Sequence, residues 1–155
     1  MNPKFMRAAI RISIVKMRQS AGGPFGAVVV RRGHIIARGW NRVTSTNDPT
    51  AHAELVALRA ACRRLQRFHL DDCELYTSCE PCPMCLAAIY WARVPRVFYA
   101  NTRRDAAKIG FNDAFIYREV ARAVARRKLV MTPLLRAEAL AAFKEWSQKA
   151  DRVQY

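Results

Sequence analysis

The segment from residue 52 to residue 85 opens with HAE (52–54) and closes with PCPMC (81–85). These two short motifs offer one imidazole, from His52, and two thiols, from Cys82 and Cys85. This mixture of nitrogen and sulfur suits a borderline-soft ion such as Zn²⁺, which prefers four tetrahedral ligands. Three protein ligands leave the fourth position for water, so the pattern predicts a catalytic zinc site.

A glutamate close to the histidine in sequence could serve as the proton carrier of the reaction. Glu54 lies two residues after His52 and is not needed as a ligand. Zinc lowers the pKa of a bound water to roughly 7, so hydroxide is available at neutral pH. A carboxylate beside the metal can take a proton from that water and pass it to a ring nitrogen and a leaving amine. The sequence therefore predicts Glu54 as the general acid–base group.

The cysteines leave alternatives open. Cys79 and Cys82 form a second Cys-x-x-Cys that overlaps the first, so Cys79 is an alternative ligand. Cys82 and Cys85 are favoured because Pro83 suits the first turn of a helix, whose positive end stabilises thiolates. A structural zinc site and a redox-active cysteine pair are the remaining interpretations.

The chain length and the number of cysteines limit the classes of protein to which this sequence can belong. The chain has 155 residues, which predicts one domain, and five cysteines, an odd number that does not suit a disulfide framework. A reducing, cytoplasmic location is expected. The first 20 residues contain five basic side chains and no long apolar stretch, unlike a signal peptide, and nothing in the sequence resembles a membrane span.

The net charge of +15, from 27 basic and 12 acidic residues, allows two interpretations. A basic groove would attract the phosphates of a nucleic acid. Alternatively, the arginines form a solvated surface, which is favoured because the basic residues are scattered along the chain without a dominant run.

Apolar periodicity and turn residues predict an α/β fold. A helix covers most of residues 1–20, and a further helix begins after Asp48-Pro49 and carries His52 and Glu54 in its first turns. Two helices that start at the same sheet edge would bring His52, Cys82 and Cys85 together. The remaining predicted elements are strands at 25–30, 35–40, 73–77, 96–100 and 129–132, and helices at 82–91, 115–125 and from about 135.

Several longer motifs carry a resemblance to a known family. They are GGPFGA (22–27), NDPTAHAE (47–54), YTSCEPCPMC (76–85), AIYWA (88–92), DAA (105–107) and GFND (110–113). In these motifs the chain resembles the bacterial guanine deaminases of the cytidine/deoxycytidylate deaminase-like superfamily. The resemblance implies a single deaminase domain over 1–155, with a three-layer α/β/α fold, a central mixed sheet of roughly five strands and a C-terminal helical tail.

The resemblance also implies an activity and its catalytic residues. Guanine would be hydrolysed to xanthine and ammonia in purine salvage or catabolism, with zinc-bound hydroxide attacking C2. One zinc ion per subunit would be held by His52, Cys82 and Cys85, and Glu54 would shuttle protons. Asp113 matches the acidic residue that contacts the exocyclic amine.

Four further residues match substrate-binding positions of the family. Asn41 is expected to hydrogen-bond the purine ring, and Phe25 and Trp91 to line the pocket with aromatic faces. In similar enzymes the C-terminal tail crosses to the other subunit of a homodimer. The segment from about 135 to 155 would therefore reach the partner, where Tyr155 would close the active site.

Other functions remain as alternatives. A tRNA adenosine deaminase has the same fold and zinc site, and it would use the basic surface to hold an RNA loop with the target base flipped out. A tail closed over the pocket would obstruct such a polynucleotide. A related nucleoside or triazine deaminase is a further possibility. A third hypothesis, a non-catalytic RNA-binding module with structural zinc, is disfavoured by the intact Glu54.

Overall fold

The computed structural model of the protein describes residues 1–154, and its strands form one mixed four-stranded sheet. The sheet has the order β2-β1-β3-β4. β1 is antiparallel to both of its neighbours, and β3 runs parallel to β4. The strands are β1 (Gly26–Arg31), β2 (His34–Trp40), β3 (Cys73–Cys79) and β4 (Arg96–Asn101).

The chain divides into two compact units, Met1–Asp113 and a second unit that begins at Ala114. In the first unit the sheet is accompanied by α1 (Pro3–Arg18), α2 (Val43–Thr46), α3 (Ala53–Leu65), α4 (Pro83–Trp91) and α5 (Arg103–Lys108). The second unit contains α6 (Ala114–Ala121), a 3-10 turn (Val124–Arg126) and α7 (Arg136–Gln148). None of these helices, within residues 1–154, has the length and apolar character needed to cross a bilayer.

Two apolar cores, one on each face of the sheet, create the expected three layers. Successive residues of a strand point to opposite faces, so Val28 and Val30 pack with Phe5 and Ala9 of α1. The alternate residues of β1 pack on the other face with α3 and α4, in a cluster that includes Ala27, Val29, Ala57, Leu58 and Ile89. The α/β/α class predicted from the sequence is therefore confirmed.

The strand count differs from the expectation of roughly five. The apolar run predicted as a strand at 129–132 is not one, and among residues 1–154 the sheet contains four strands. Leu129 is 72% and Val130 85% exposed. A strand requires a neighbouring backbone to satisfy its N–H and C=O groups, and an apolar run alone does not supply one. The helix expected after Asp48-Pro49 begins later, since α3 starts at Ala53 and His52 is its N-cap. The helix expected over 115–125 is shorter and is followed by the 3-10 turn, while α2 and α5 were not predicted.

The topology places several loops at one edge of the sheet. Because β2, β3 and β4 all run in the same direction, opposite to β1, their carboxyl ends lie at one edge together with the start of β1. Phe25 precedes β1, Asn41 follows β2, and Cys82 follows β3. Residues that are far apart in sequence therefore meet at this edge.

Gly39 allows β2 to lie directly against the first turns of α3. A β-carbon at this position would overlap the carbonyl oxygen of Ala53 and would lie 2.6 Å from the amide nitrogen of Ala57. No side chain fits between these two backbones. The close approach sets the position of the helix start that carries His52 and Glu54.

We expect Gly39→Ala to lower the free energy of unfolding by about 2–3 kcal/mol, since the backbone of β2 or α3 must move to admit the methyl group. Denaturant unfolding would measure the effect. Gly33→Ala is the matched control, because Gly33 has no atom near its missing β-carbon and only its φ of +75° opposes the change. The control should lose about 1 kcal/mol; equal losses in the two variants would contradict the packing argument.

Candidate metal centre and active site

The three predicted ligands come from the starts of two helices. His52 is the N-cap residue of α3, and Cys82 is the N-cap residue of α4. Pro83 occupies the start of α4, as predicted, which places Cys85 in its first turn. The positive end of the α4 dipole therefore lies beside both sulfurs, where it favours the thiolate forms.

The donor atoms have the spacing of a tetrahedral metal site. His52 Nδ1 lies 3.5 Å from Cys82 Sγ and 3.5 Å from Cys85 Sγ. All three donor atoms lie within 4.8 Å of one another. Zinc at about 2.1 Å from nitrogen and about 2.3 Å from sulfur, with tetrahedral angles, requires an N···S separation of roughly 3.6 Å. The residues present therefore fit a zinc ion with one open position.

Electrostatics also favour a cation here. The hydrogen bond from the Cys85 thiol, helped by His52, holds the pKa of Cys82 at about 4. The pKa of Cys85 is raised because its proton is shared with Cys82 and because it is buried. The pKa of His52 is raised, first by its hydrogen bond with Cys82. One thiolate forms easily and the second is opposed by the first, so a divalent cation would supply the charge that lets both ionise.

Glu54 is buried next to this cluster. Its side chain points toward the metal position, with Oε2 3.5 Å from Cys85 Sγ, and Oε1 accepts a 2.9 Å hydrogen bond from Thr77. Burial raises the pKa of Glu54, and the hydrogen bond from Thr77 opposes this rise. A carboxyl group whose pKa is moved toward neutrality can both accept and return a proton.

Asn41 is almost fully buried at the end of β2. Its Oδ1 accepts hydrogen bonds from the backbone N–H groups of Gly23, at 3.2 Å, and Val43, at 3.3 Å. The side chain therefore holds the loop before β1 against the loop after β2. Because Oδ1 receives both of these bonds, Nδ2 is the atom of the amide that can donate to a ligand.

Two aromatic rings meet above the glycine loop. Phe25 and Phe111 form an edge-to-face pair with ring centroids 4.8 Å apart. A β-carbon at Gly23 would lie 3.4 Å from each ring and 3.5 Å from the Asn41 amide. The glycine therefore lets the two rings and the amide converge at the sheet edge that holds the ligands.

Asp113 lies close enough to respond to the cluster. Burial raises its pKa first, and the negative charge of Cys82 raises it further. Cys79, the alternative ligand, is the last residue of β3; its thiol donates to the Thr102 carbonyl at 3.7 Å. Burial raises the pKa of Cys79 to about 11. Among the described residues, the clustered donor atoms are those of His52, Cys82 and Cys85, without Cys79.

The position of Trp91 along its helix differs from that of the ligands. Trp91 is the last residue of α4 and is 66% exposed. It lies six residues after Cys85, a rise of about 9 Å along the helix. Tyr155 lies outside the described residues. Their substrate-binding roles stay predictions.

Two residues of the site were missed by sequence reasoning. Thr77 lies within β3 and Phe111 within a loop. Neither residue is part of the sequence motif that predicts the metal ligands or the acid–base glutamate. The YTSC run contains Thr77, but only the register of β3 decides that its hydroxyl faces Glu54. Phe111 is adjacent to Gly110 in the GFND motif, which was the available signal.

The α/β/α fold, the His-Cys-Cys cluster and the adjacent buried glutamate together define a zinc-dependent deaminase. The chain belongs to the cytidine and deoxycytidylate deaminase family, whose zinc-binding region matches residues 1–101. Within that family it is 49% identical to a guanine deaminase from Bacillus subtilis (strain 168) over 151 residues, 97% of each protein.

Structural and further sequence comparisons agree with this relationship. The X-ray structure of guanine deaminase from Bacillus subtilis superposes with a TM-score of 0.96 and 49% identity, covering 100% of this chain and 99% of that one. A tRNA-specific adenosine deaminase from Aquifex aeolicus (strain VF5) is 40% identical over 96 residues, 62% of this chain and 63% of that protein. Similarity to the guanine deaminase thus extends along a longer part of the chain.

Single substitutions should distinguish the zinc ligands from residues that only lie near the zinc site. We expect His52→Ala and Cys82→Ala to lose zinc and to unfold at lower temperature, since metal binding contributes to folding. Glu54→Gln should retain one zinc per subunit. Cys79→Ala is the matched cysteine control and should also retain it. Elemental analysis and thermal unfolding would measure both effects; zinc loss in Cys79→Ala with retention in Cys82→Ala would reverse the assignment.

Proposed function

We propose that this chain hydrolyses guanine to xanthine and ammonia, using one zinc ion per subunit held by His52, Cys82 and Cys85. The 49% identity to a guanine deaminase over 97% of the chain carries the choice of guanine. The match of residues 1–101 to the zinc-binding region of the deaminase family supports hydrolytic deamination as the reaction. Residues 1–155 would act as one functional domain.

The proton transfers of the reaction are assigned to Glu54. Hydrolysis joins a water oxygen to C2 of guanine and breaks the bond from C2 to its amino group. A bound zinc ion supplies a water whose pKa is about 7. Glu54 Oε2 lies at the edge of the ligand cluster, 3.5 Å from Cys85 Sγ. From there it would take a proton from the attacking water and give it to the ring nitrogen. It would then carry a second proton, from the oxygen newly bonded to C2, to the leaving amine.

Guanine binding is assigned to the residues that converge around Gly23. Asn41 Nδ2 would donate to an acceptor of the purine ring, since its Oδ1 is occupied by two backbone donors. Phe25 and its edge-to-face neighbour Phe111 would provide an apolar wall for the planar base. Asp113 would accept a hydrogen bond from the exocyclic amine. Trp91 is proposed as a further aromatic residue of the pocket.

We also propose that the enzyme is a homodimer in which the C-terminal segment reaches the partner subunit. In the second unit, α6 and α7 contain no buried residue, and Phe143 is 75% exposed. In the first unit, Tyr90 and Trp91 on α4 are 74% and 66% exposed. Burial of such apolar area is the usual driving force for association. Tyr155 would then close the partner's active site.

The five cysteines are all free thiols, which suits a reducing compartment. We therefore place the enzyme in the cytoplasm.

The activity is tested by ammonia release from a panel of guanine, guanosine, adenine, cytosine, cytidine and a tRNA anticodon stem-loop. We expect selective turnover of guanine. Glu54→Gln should lower kcat by about 10²–10⁴-fold, the usual contribution of a general acid–base group. Its zinc content should not change.

If the enzyme turned over only the stem-loop, its substrate would be an adenosine of tRNA and not guanine. The net charge of +15 would then have a role in RNA binding. Full activity of Glu54→Gln would reject Glu54 as the proton carrier.

The tail is tested by deletion of residues 150–155. We expect guanine turnover to fall by about tenfold or more, because a closed site excludes water and orients the substrate. The unfolding temperature and the dimer mass from light scattering should stay within error of the full chain. Unchanged kinetics would remove Tyr155 from the site, and a monomeric full-length protein would contradict the exchanged tail.

A further inference from the structure

We propose that Thr77 is a positioning residue that holds the Glu54 carboxyl group in one orientation, with Oε2 turned toward the ligand cluster. The inference rests on the proposed deaminase function and extends it to a residue that no ligand or acid–base motif contains. The Thr77 hydroxyl bonds to Glu54, and the proposed role acts through that residue.

The register of the sheet directs Thr77 at Glu54. Thr77 pairs with Ala27 across the β1–β3 ladder, and Ala27 and Leu75 belong to the core on the α3 face. Residues two apart on a strand share a face, so Thr77 points to the same side as Leu75. It is 1% exposed, which excludes bulk water from the hydroxyl.

The hydrogen bond has one direction. Thr77 Oγ1 lies 2.9 Å from Glu54 Oε1, and an ionised carboxylate can only accept. The hydroxyl therefore donates to Oε1. The other oxygen, Oε2, lies 3.5 Å from Cys85 Sγ, at the ligand cluster.

Occupation of Oε1 leaves Oε2 for the incoming proton. When Cys85 ligates a metal as a thiolate, it has no proton to donate, so Thr77 becomes the side-chain donor that still holds Glu54. A carboxyl group protonated on Oε2 can keep accepting from Thr77 through Oε1. The same contact therefore serves both protonation states and keeps the carboxyl plane in one orientation during the transfer.

A hydroxyl is needed at this position, not only its volume. Valine has nearly the shape of threonine but offers no donor, so it would leave Oε1 buried without this partner. The carboxyl group could then rotate or take the proton on Oε1, away from the reacting atoms. Serine retains the donor and loses one methyl group.

The test compares Thr77→Val, Thr77→Ser and Ser78→Ala in the full-length zinc-loaded protein with guanine as substrate. We expect Thr77→Val to lower kcat by about 10–100-fold, part of the range for acid–base catalysis. KM should stay within about twofold and zinc content should stay at one per subunit. Thr77→Ser should keep kcat within about threefold of the wild type.

Ser78→Ala is the matched control for lost burial and lost hydrogen bonding on the same strand. Ser78 is also buried, and its Oγ accepts from the Gly26 amide at 3.0 Å, on the opposite face of β3. This variant should unfold at a lower temperature but keep kcat. A purely structural role for Thr77 would give Thr77→Val the same behaviour.

A double variant of Thr77 and Glu54 shows whether Thr77 acts through Glu54 or independently of it. Glu54→Gln/Thr77→Val should be no slower than Glu54→Gln alone. Wild-type kcat in Thr77→Val, a Thr77→Ser as slow as Thr77→Val, or additive losses in the double variant would each overturn the proposal.

The wild-type panel distinguishes this failure from failure of the proposed function. Turnover of a different amine by the wild type would replace guanine, and the same variants would then be measured with that substrate. A wild type that deaminates nothing in the panel would overturn both the proposed function and the role of Thr77.

Discussion

Two thiols and an imidazole within hydrogen-bond distance of one another form an arrangement that the protein has to stabilise. His52 Nδ1 is 3.5 Å from both sulfurs, and the cluster lies beside the buried carboxyl group of Glu54. The hydrogen bond with Cys82, burial and nearby negative charge raise the pKa of Cys85, while burial and then the charge of Cys82 raise the pKa of Asp113. A divalent ion offsets this negative charge. The rest of the fold supports a site that is most stable when a metal is bound.

The sheet brings the residues of the site together because the ends of several strands lie at one edge. Three strands finish at the edge where β1 begins, so the loops that follow them carry Asn41 and Cys82 to one place. The α3 helix reaches the same place because Gly39 admits its backbone directly against β2. Rigid elements therefore set the ligand positions, and loops such as the one around Gly23 supply the surfaces for a base.

Substrate choice within the family depends on the residues around the shared centre. The zinc-binding region is common to deaminases of different substrates, since a tRNA-specific adenosine deaminase matches 62% of this chain. The relationship to a guanine deaminase extends over 97% of it. Asn41 illustrates how such residues act, because the backbone donors that occupy its Oδ1 determine that it would offer a donor to the substrate. A hydrogen-bonding site of this kind discriminates strongly between rings that differ in one polar group.

The sequence alone determined the ligand types, the adjacent glutamate, the helix start at Pro83 and the α/β class, whereas it placed the start of α3 several residues too early. These features follow from local chemistry: side-chain donors, proline geometry and the period of the apolar residues. Only the tertiary structure decided that the sheet has four strands, that Thr77 holds Glu54 and that Phe111 meets Phe25. Each of these depends on strand register or on the packing of segments distant in sequence. A shift of one residue in register would turn Thr77 to the opposite face of the sheet, and no local pattern records that choice.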